Sequence, residues 1–131
     1  MNMKHKKNVG RSLMDVHLLE LISLRIGQIN DCAYCIQMHH DELSHIGESN
    51  VRLTLLYVWD KVPHFSQKER AVLSLAEELS AKNKKTPTKE TFNALLLYFK
   101  EAEIHRLTVA INKINTWTWF MKTFGYSSKI F

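Results

Sequence analysis

Apolar positions along this chain recur at intervals of three and four over most of its length, with few runs at intervals of two. That is the period of an α-helix with one face against a core, and it predicts an all-α protein of about six helices. From Ser12 to Ile29, Leu18, Leu21, Ile22, Ile26 and Ile29 share one face, and Leu13, Val16, Leu24 and Gly27 share a second. A helix apolar on two faces is buried in the protein or between subunits. Asn30 and Asp31 favour turns and caps and end this helix. A second is expected from about Cys32 to Ile46, with Gly47 as its stop. A third runs from Ser49 to Trp59, and Pro63 then breaks the chain. Ser66 and Glu69 form a capping box ahead of an apolar run bearing Val72, Leu75, Ala76 and Leu79. Thr86-Pro87-Thr88 opens a fifth helix, through Phe92, Leu95, Leu96 and Phe99. The last, from Glu101 to Phe124, puts Ile104, Leu107, Ile111, Ile114 and Asn115 on one face. It ends in Trp117, Trp119 and Phe120, an aromatic surface expected in the core or in a subunit interface.

Composition narrows the class. A chain of 131 residues that is 45% hydrophobic and 24% charged is one domain with a core of its own. Residues 1–10 read as a flexible arm and 11–131 as a single helical domain. The net charge of +5 gathers at residues 4–7 and 82–85, a terminus and a loop. No stripe of Arg and Lys interleaved with aromatics suggests a nucleic-acid partner. No run reaches the ~18 apolar residues of a membrane span. The N-terminal lysines lack the apolar stretch of a signal peptide. A cytoplasmic protein without membrane association is expected.

The candidate chemistry lies in one segment. Cys32 and Cys35 are the only two cysteines, three positions apart, and His39 follows four positions later. In a reducing compartment such a pair points to redox chemistry or metal rather than to a structural staple. At the start of a helix, the unpaired N–H groups and the positive end of the macrodipole favour thiolate. Cys35 and His39 are neighbours on one helical face, so His39 can take the thiol proton. Glu20 sits within the apolar first helix, where a carboxylate is rare unless paired or functional. If the two helices form an antiparallel hairpin, the ~1.5 Å rise per residue puts Glu20 ~4–5 Å along the axis from His39 and Cys35 ~6 Å beyond. The expected order is Glu20, His39, Cys35, Cys32, a route for a proton from thiol to carboxylate. This reads as a thiol peroxidase or disulfide oxidoreductase. A zinc site of Cys32, Cys35 and His39 or His40, with His45 or Asp41, is a second reading. A third makes the cysteines small hydrophobes. A redox-sensing module would use the same pair without turnover. For His5, His17, His45, His64 and His105 no partner is evident.

The run from Glu20 through Cys32-Ala33-Tyr34-Cys35 to His39 resembles the core of the AhpD-like alkylhydroperoxidases, in the carboxymuconolactone decarboxylase superfamily. The likeness extends through Phe65-Ser66, Glu69-Arg70-Ala71 and the stretch from Ile104 to Trp117, and covers most of residues 13–120. It implies a helical fold of about six helices assembled as trimers or hexamers. It also implies reduction of hydroperoxides in antioxidant defence, with Cys35 as the peroxidatic thiol and Cys32 as its resolving partner. His39 and Glu20 would form the proton relay. No organic cofactor is implied, and electrons would come from a dithiol of the dihydrolipoyl type, carried on a lipoyl protein. Two departures stand out: Tyr34 occupies a position that is histidine in AhpD itself, and this chain is shorter. The superfamily's decarboxylases are similar in fold but lack the cysteine pair, which leaves lactone decarboxylation as a minor alternative.

Overall fold

A computed structural model describes residues 16–80 and 86–126. Among the described residues six α-helices follow one another: α1 (Val16–Ile29), α2 (Ala33–His45), α3 (Asn50–Leu55), α4 (Gln67–Leu79), α5 (Lys89–Leu96) and α6 (Glu101–Phe124). A 3₁₀ helix, Leu56–Lys61, continues α3, and no strand occurs among the described residues. The expected flexible arm at residues 1–10 and the loop at 82–85 lie outside the described residues.

Helix α1 is the centre of the fold because it feeds two cores. Leu18, Ile22 and Ile26 pack with Val72, Leu75 and Ala76 of α4, Leu95 of α5, and Ile104, Leu107 and Ile111 of α6. Leu21 and Leu24 point elsewhere, to Leu43 of α2, Leu53, Leu56, Trp59, Phe65 and Leu73. The two apolar faces are therefore real, although Leu21 belongs with Leu24 rather than with Leu18. Val16, expected on the second face, is exposed.

Local signals set most of the boundaries. Ser66 accepts a hydrogen bond from the Glu69 N–H while the Glu69 carboxylate accepts one from the Ser66 N–H, completing the capping box of α4. Thr88 caps α5 through the Thr91 N–H. The third helix is not one α-helix to Trp59: it stops at Leu55 and tightens into the 3₁₀ segment, with Val58 off the helical path. Trp59 thereby turns inward, into the second core, and its indole N–H donates to Glu77. Similarly α5 ends at Leu96, before Phe99, which reaches the first core from the turn.

Candidate active site

The site forms where α1 hands over to α2. After Ile29 the chain reverses in three residues. The Asn30 N–H returns to the Ile26 carbonyl at 2.9 Å, and the Cys32 N–H to Gly27 at 3.0 Å. Asp31 takes φ 55°, the left-handed region that a short polar side chain tolerates. Gly27 lets the helices close up: a Cβ there would lie 3.2 Å from the Cβ of Cys35.

Cys32 is itself the N-cap of α2. Its Sγ accepts from the Cys35 N–H at 3.2 Å, the part a serine or aspartate oxygen usually plays. Cys35 follows at the third helical position, so both sulfurs lie at the positive end of the helix. The two are joined as a disulfide with a Cα–Cα distance of 5.2 Å, and neither residue has exposed surface. Tyr34 and Met121 of α6 pack with the pair.

One turn beyond Cys35, His39 Nδ1 lies 2.7 Å from Glu20 Oε1, across the α1–α2 seam. Both side chains are mostly enclosed, at 12% and 24% exposure. A carboxylate accepts, which puts the hydrogen on Nδ1 and leaves the Nε2 lone pair available. The expected hairpin order is thus realised at its outer end, with Glu20 and His39 in direct contact. The four sequence candidates fall into two bonded pairs on the same hairpin.

Other contacts around the hairpin were not evident from sequence. Asn30 donates to Asn115 Oδ1 at 2.9 Å, both residues buried, and Asn115 donates in turn to the Ile111 carbonyl. This ties the turn before Cys32 to α6. The only hints were a turn-type residue and an asparagine on an otherwise apolar face. His17 also has a partner, Glu48, at 2.5 Å. Glu48 belongs to a network in which Arg52 uses all five of its donors: two on Glu48, two on Glu69 and one on the His64 carbonyl. Burial alone would raise the Glu48 carboxyl, but hydrogen bonds from Arg52, His17 and the Ser49 N–H outweigh it and bring it down to about 2. Glu69 is lowered in the same way: the Arg52 bonds overcome burial.

Among the described residues no group of three or more His, Cys, Asp or Glu side chains converges as a metal site. Of the residues in the zinc reading, the two sulfurs are joined to each other and His39 bonds Glu20. No described helix is long and apolar enough to cross a membrane.

The chain belongs to the carboxymuconolactone decarboxylase family, whose sequence model matches residues 2–78. It is 30% identical over 115 residues to the uncharacterized protein YdfG of Bacillus subtilis (strain 168), an alignment covering 88% of this chain and 78% of that one. Its fold is similar to the crystal structure of ATU0492 from Agrobacterium tumefaciens, a protein of unknown function described as a candidate antioxidant defence protein AhpD. There the TM-score is 0.80 and the identity 33%, over 93% of this chain and 84% of the other. The fold is therefore AhpD-like.

Proposed function

We propose that this protein is a thiol-dependent hydroperoxidase of antioxidant defence, working in the cytoplasm. The observation that carries the reading is the pairing of a C-x-x-C at a helix N-terminus with a Glu20–His39 hydrogen bond one turn away. The candidate antioxidant role of the ATU0492 protein supports the same reading. In the reduced protein, His39 takes the Cys35 proton and Glu20 holds the imidazole and balances its charge. The Cys35 thiolate attacks the terminal oxygen of a hydroperoxide; the O–O bond breaks, and the alcohol leaves with a proton. The resulting sulfenic acid condenses with the Cys32 thiol, releasing water and forming the disulfide. A dithiol of the dihydrolipoyl type restores both thiols, so no organic cofactor is bound.

The working unit is a homo-oligomer, a trimer or hexamer. In support, Trp117, Phe120 and Phe124 follow one another in ring contact along one side of α6, each about half exposed, as a face that a second copy could cover.

The test is a thiol titration of the reduced protein before and after one equivalent of cumene hydroperoxide. Loss of both thiols, reversed by dihydrolipoamide with catalytic turnover, is expected. Thiols that survive the peroxide would sink the reading, and oxidation without turnover would make the protein a redox sensor instead.

A further inference from the structure

Regenerating the thiols requires a reductant to touch a sulfur, yet neither cysteine is exposed. Part of what shuts them in is Tyr34 inside the C-x-x-C and the last turn of α6. Met121, 8% exposed, packs with both cysteines. Gly125, the C-cap of α6, approaches Tyr34 so closely that a Cβ on it would stand 2.7 Å from the ring carbon Cγ. Tyr126 meets the Tyr34 ring edge-on at 5.4 Å, and its hydroxyl donates to the Gln37 side-chain oxygen.

The two halves of α6 are held very differently. Upstream, Ile104, Leu107 and Ile111 are buried in the first core and Asn115 is bonded to Asn30. At the end, Tyr126 is about half exposed. Beside this end lies a cleft of about 240 Å³ lined by Tyr34, Gln37, Met38, Asp41 and Glu42. Its wall includes Tyr34 and Gln37, which Tyr126 touches, so lifting Tyr126 off them would extend the cleft toward the disulfide.

We propose that residues 121–126 and Tyr34 form a gate over the Cys32–Cys35 disulfide, that a small dithiol enters through the Gln37 cleft when it lifts, and that Tyr126 sets how often it does. The inference rests on the redox reading of the site. Once inside, one thiolate of the dithiol attacks a sulfur of the disulfide. The S–S bond breaks, a mixed disulfide forms, and the other cysteine leaves as thiolate and takes a proton. The second thiol of the dithiol then displaces the bound cysteine. Two electrons and two protons pass to the protein, and the dithiol departs as a cyclic disulfide.

The experiment follows reduction of the oxidised full-length protein by excess dithiothreitol, with maleimide quenching and mass readout, at several urea concentrations below the unfolding transition. For the wild type, a rate with shallow urea dependence is expected, the sign of local opening. Tyr126→Ala should speed reduction roughly tenfold by removing a ring pair and a hydrogen bond, and Tyr126→Phe by roughly threefold. Gly125→Ala, whose methyl would press on both the Met121 carbonyl and Tyr34 and so displace the turn, should also speed it, while the thermal midpoint of each Tyr126 variant stays near that of the wild type. If the wild type is reduced with shallow urea dependence and Tyr126→Phe and Gly125→Ala leave the rate unchanged, the gate is wrong and the redox reading stands. If reduction of every form follows global unfolding, the disulfide is structural, and both the redox reading and the gate fall.

Discussion

Glu20 and His39 come from different helices, nineteen residues apart in sequence, and meet at 2.7 Å across the α1–α2 seam. The contact fixes which imidazole nitrogen is left to act as a base, and it places a carboxylate where an imidazolium would form. Glu20→Gln keeps the shape and the hydrogen-bonding capacity while removing the charge. Hydroperoxide turnover with dihydrolipoamide should fall by roughly 10²–10⁴-fold, the usual weight of a general acid–base group. The fold should tolerate the change, with circular dichroism and thermal midpoint close to wild type. Unchanged turnover would remove Glu20 from the mechanism.

The two cysteines should fail differently. Cys35→Ser removes the attacking thiolate, so peroxide consumption should vanish. Cys32→Ser leaves attack possible but no thiol to condense with the product. One turnover should leave a sulfenic acid on Cys35, trapped by dimedone and located by mass spectrometry. A dimedone adduct on Cys32 in the Cys35→Ser variant would reverse the assigned roles.

Arg52, Glu48 and Glu69 join the α2–α3 loop to α4, with the Glu48 side chain only 6% exposed. Arg52→Met would leave two enclosed carboxylates without their cation and should cost roughly 3 kcal/mol in urea unfolding at neutral pH. The pH dependence follows from the sign of the shifts. Glu48 is lowered from 4.5 to about 2, so its contribution is complete above pH 4.5 and is lost as pH falls toward 2. Glu69 is shifted in the same direction. Wild-type stability should therefore drop through this acid window, while Arg52→Met, already lacking the bonds, should lose less across it. Parallel curves for the two proteins would mean that the network does not couple to acid unfolding.

The hairpin, the two-faced α1 and the capping box were legible because each rests on neighbours in sequence. The periodicity of Leu18, Ile22 and Ile26, the turn chemistry of Asn30-Asp31, and Ser66 with Glu69 are all local signals. The Glu20–His39 contact was within reach because a short antiparallel hairpin converts sequence distance into axial distance. What sequence did not reveal depends on long-range packing. Nothing local in Asn30 points to Asn115, 85 residues away, and nothing local in Gln37 points to Tyr126, 89 away. The apolar spacing of Leu56 to Trp59 is compatible with α-helix or 3₁₀ helix, so sequence extends the third helix to Trp59 where the structure tightens at Leu56, and burial of Trp59 decides the matter. Trp117 and Phe120, both about half exposed, are legible in sequence only as an aromatic surface.

Gly27 tests how tightly the site is built. An alanine there gains up to about 1 kcal/mol of helix propensity. Its methyl would stand 3.2 Å from the Cys35 Cβ and 3.5 Å from the Ile36 backbone nitrogen, so α1 and α2 must part by a few tenths of an ångström. The two effects nearly cancel, and Gly27→Ala should change stability by less than about 1 kcal/mol. Gly27→Val adds two more carbons against backbone that cannot rotate away, and should cost roughly 2–3 kcal/mol. Chemical denaturation of the pair decides the point: a valine variant as stable as the alanine one would mean that the helices are not in close contact at Cys35.

The Asn30–Asn115 bond should matter beyond its own energy, because it anchors the turn that ends at Cys32 to the stable half of α6. Asn115→Leu fills the space but leaves a buried amide of Asn30 without its acceptor, at a cost of roughly 1–3 kcal/mol. Removing both partners should cost less than the sum of the single changes, with a coupling of about 1 kcal/mol in a double-mutant cycle of Asn115→Leu with Asn30→Ala. Amide hydrogen exchange supplies the functional half of the test. In Asn115→Leu, protection should fall at the Cys32 and Cys35 N–H groups more than in α4, since the former hang from the turn and the latter does not. Uniform loss of protection would reduce the pair to an ordinary core contact, whereas selective loss would show that the redox hairpin is held in place by a residue 80 positions beyond Cys35.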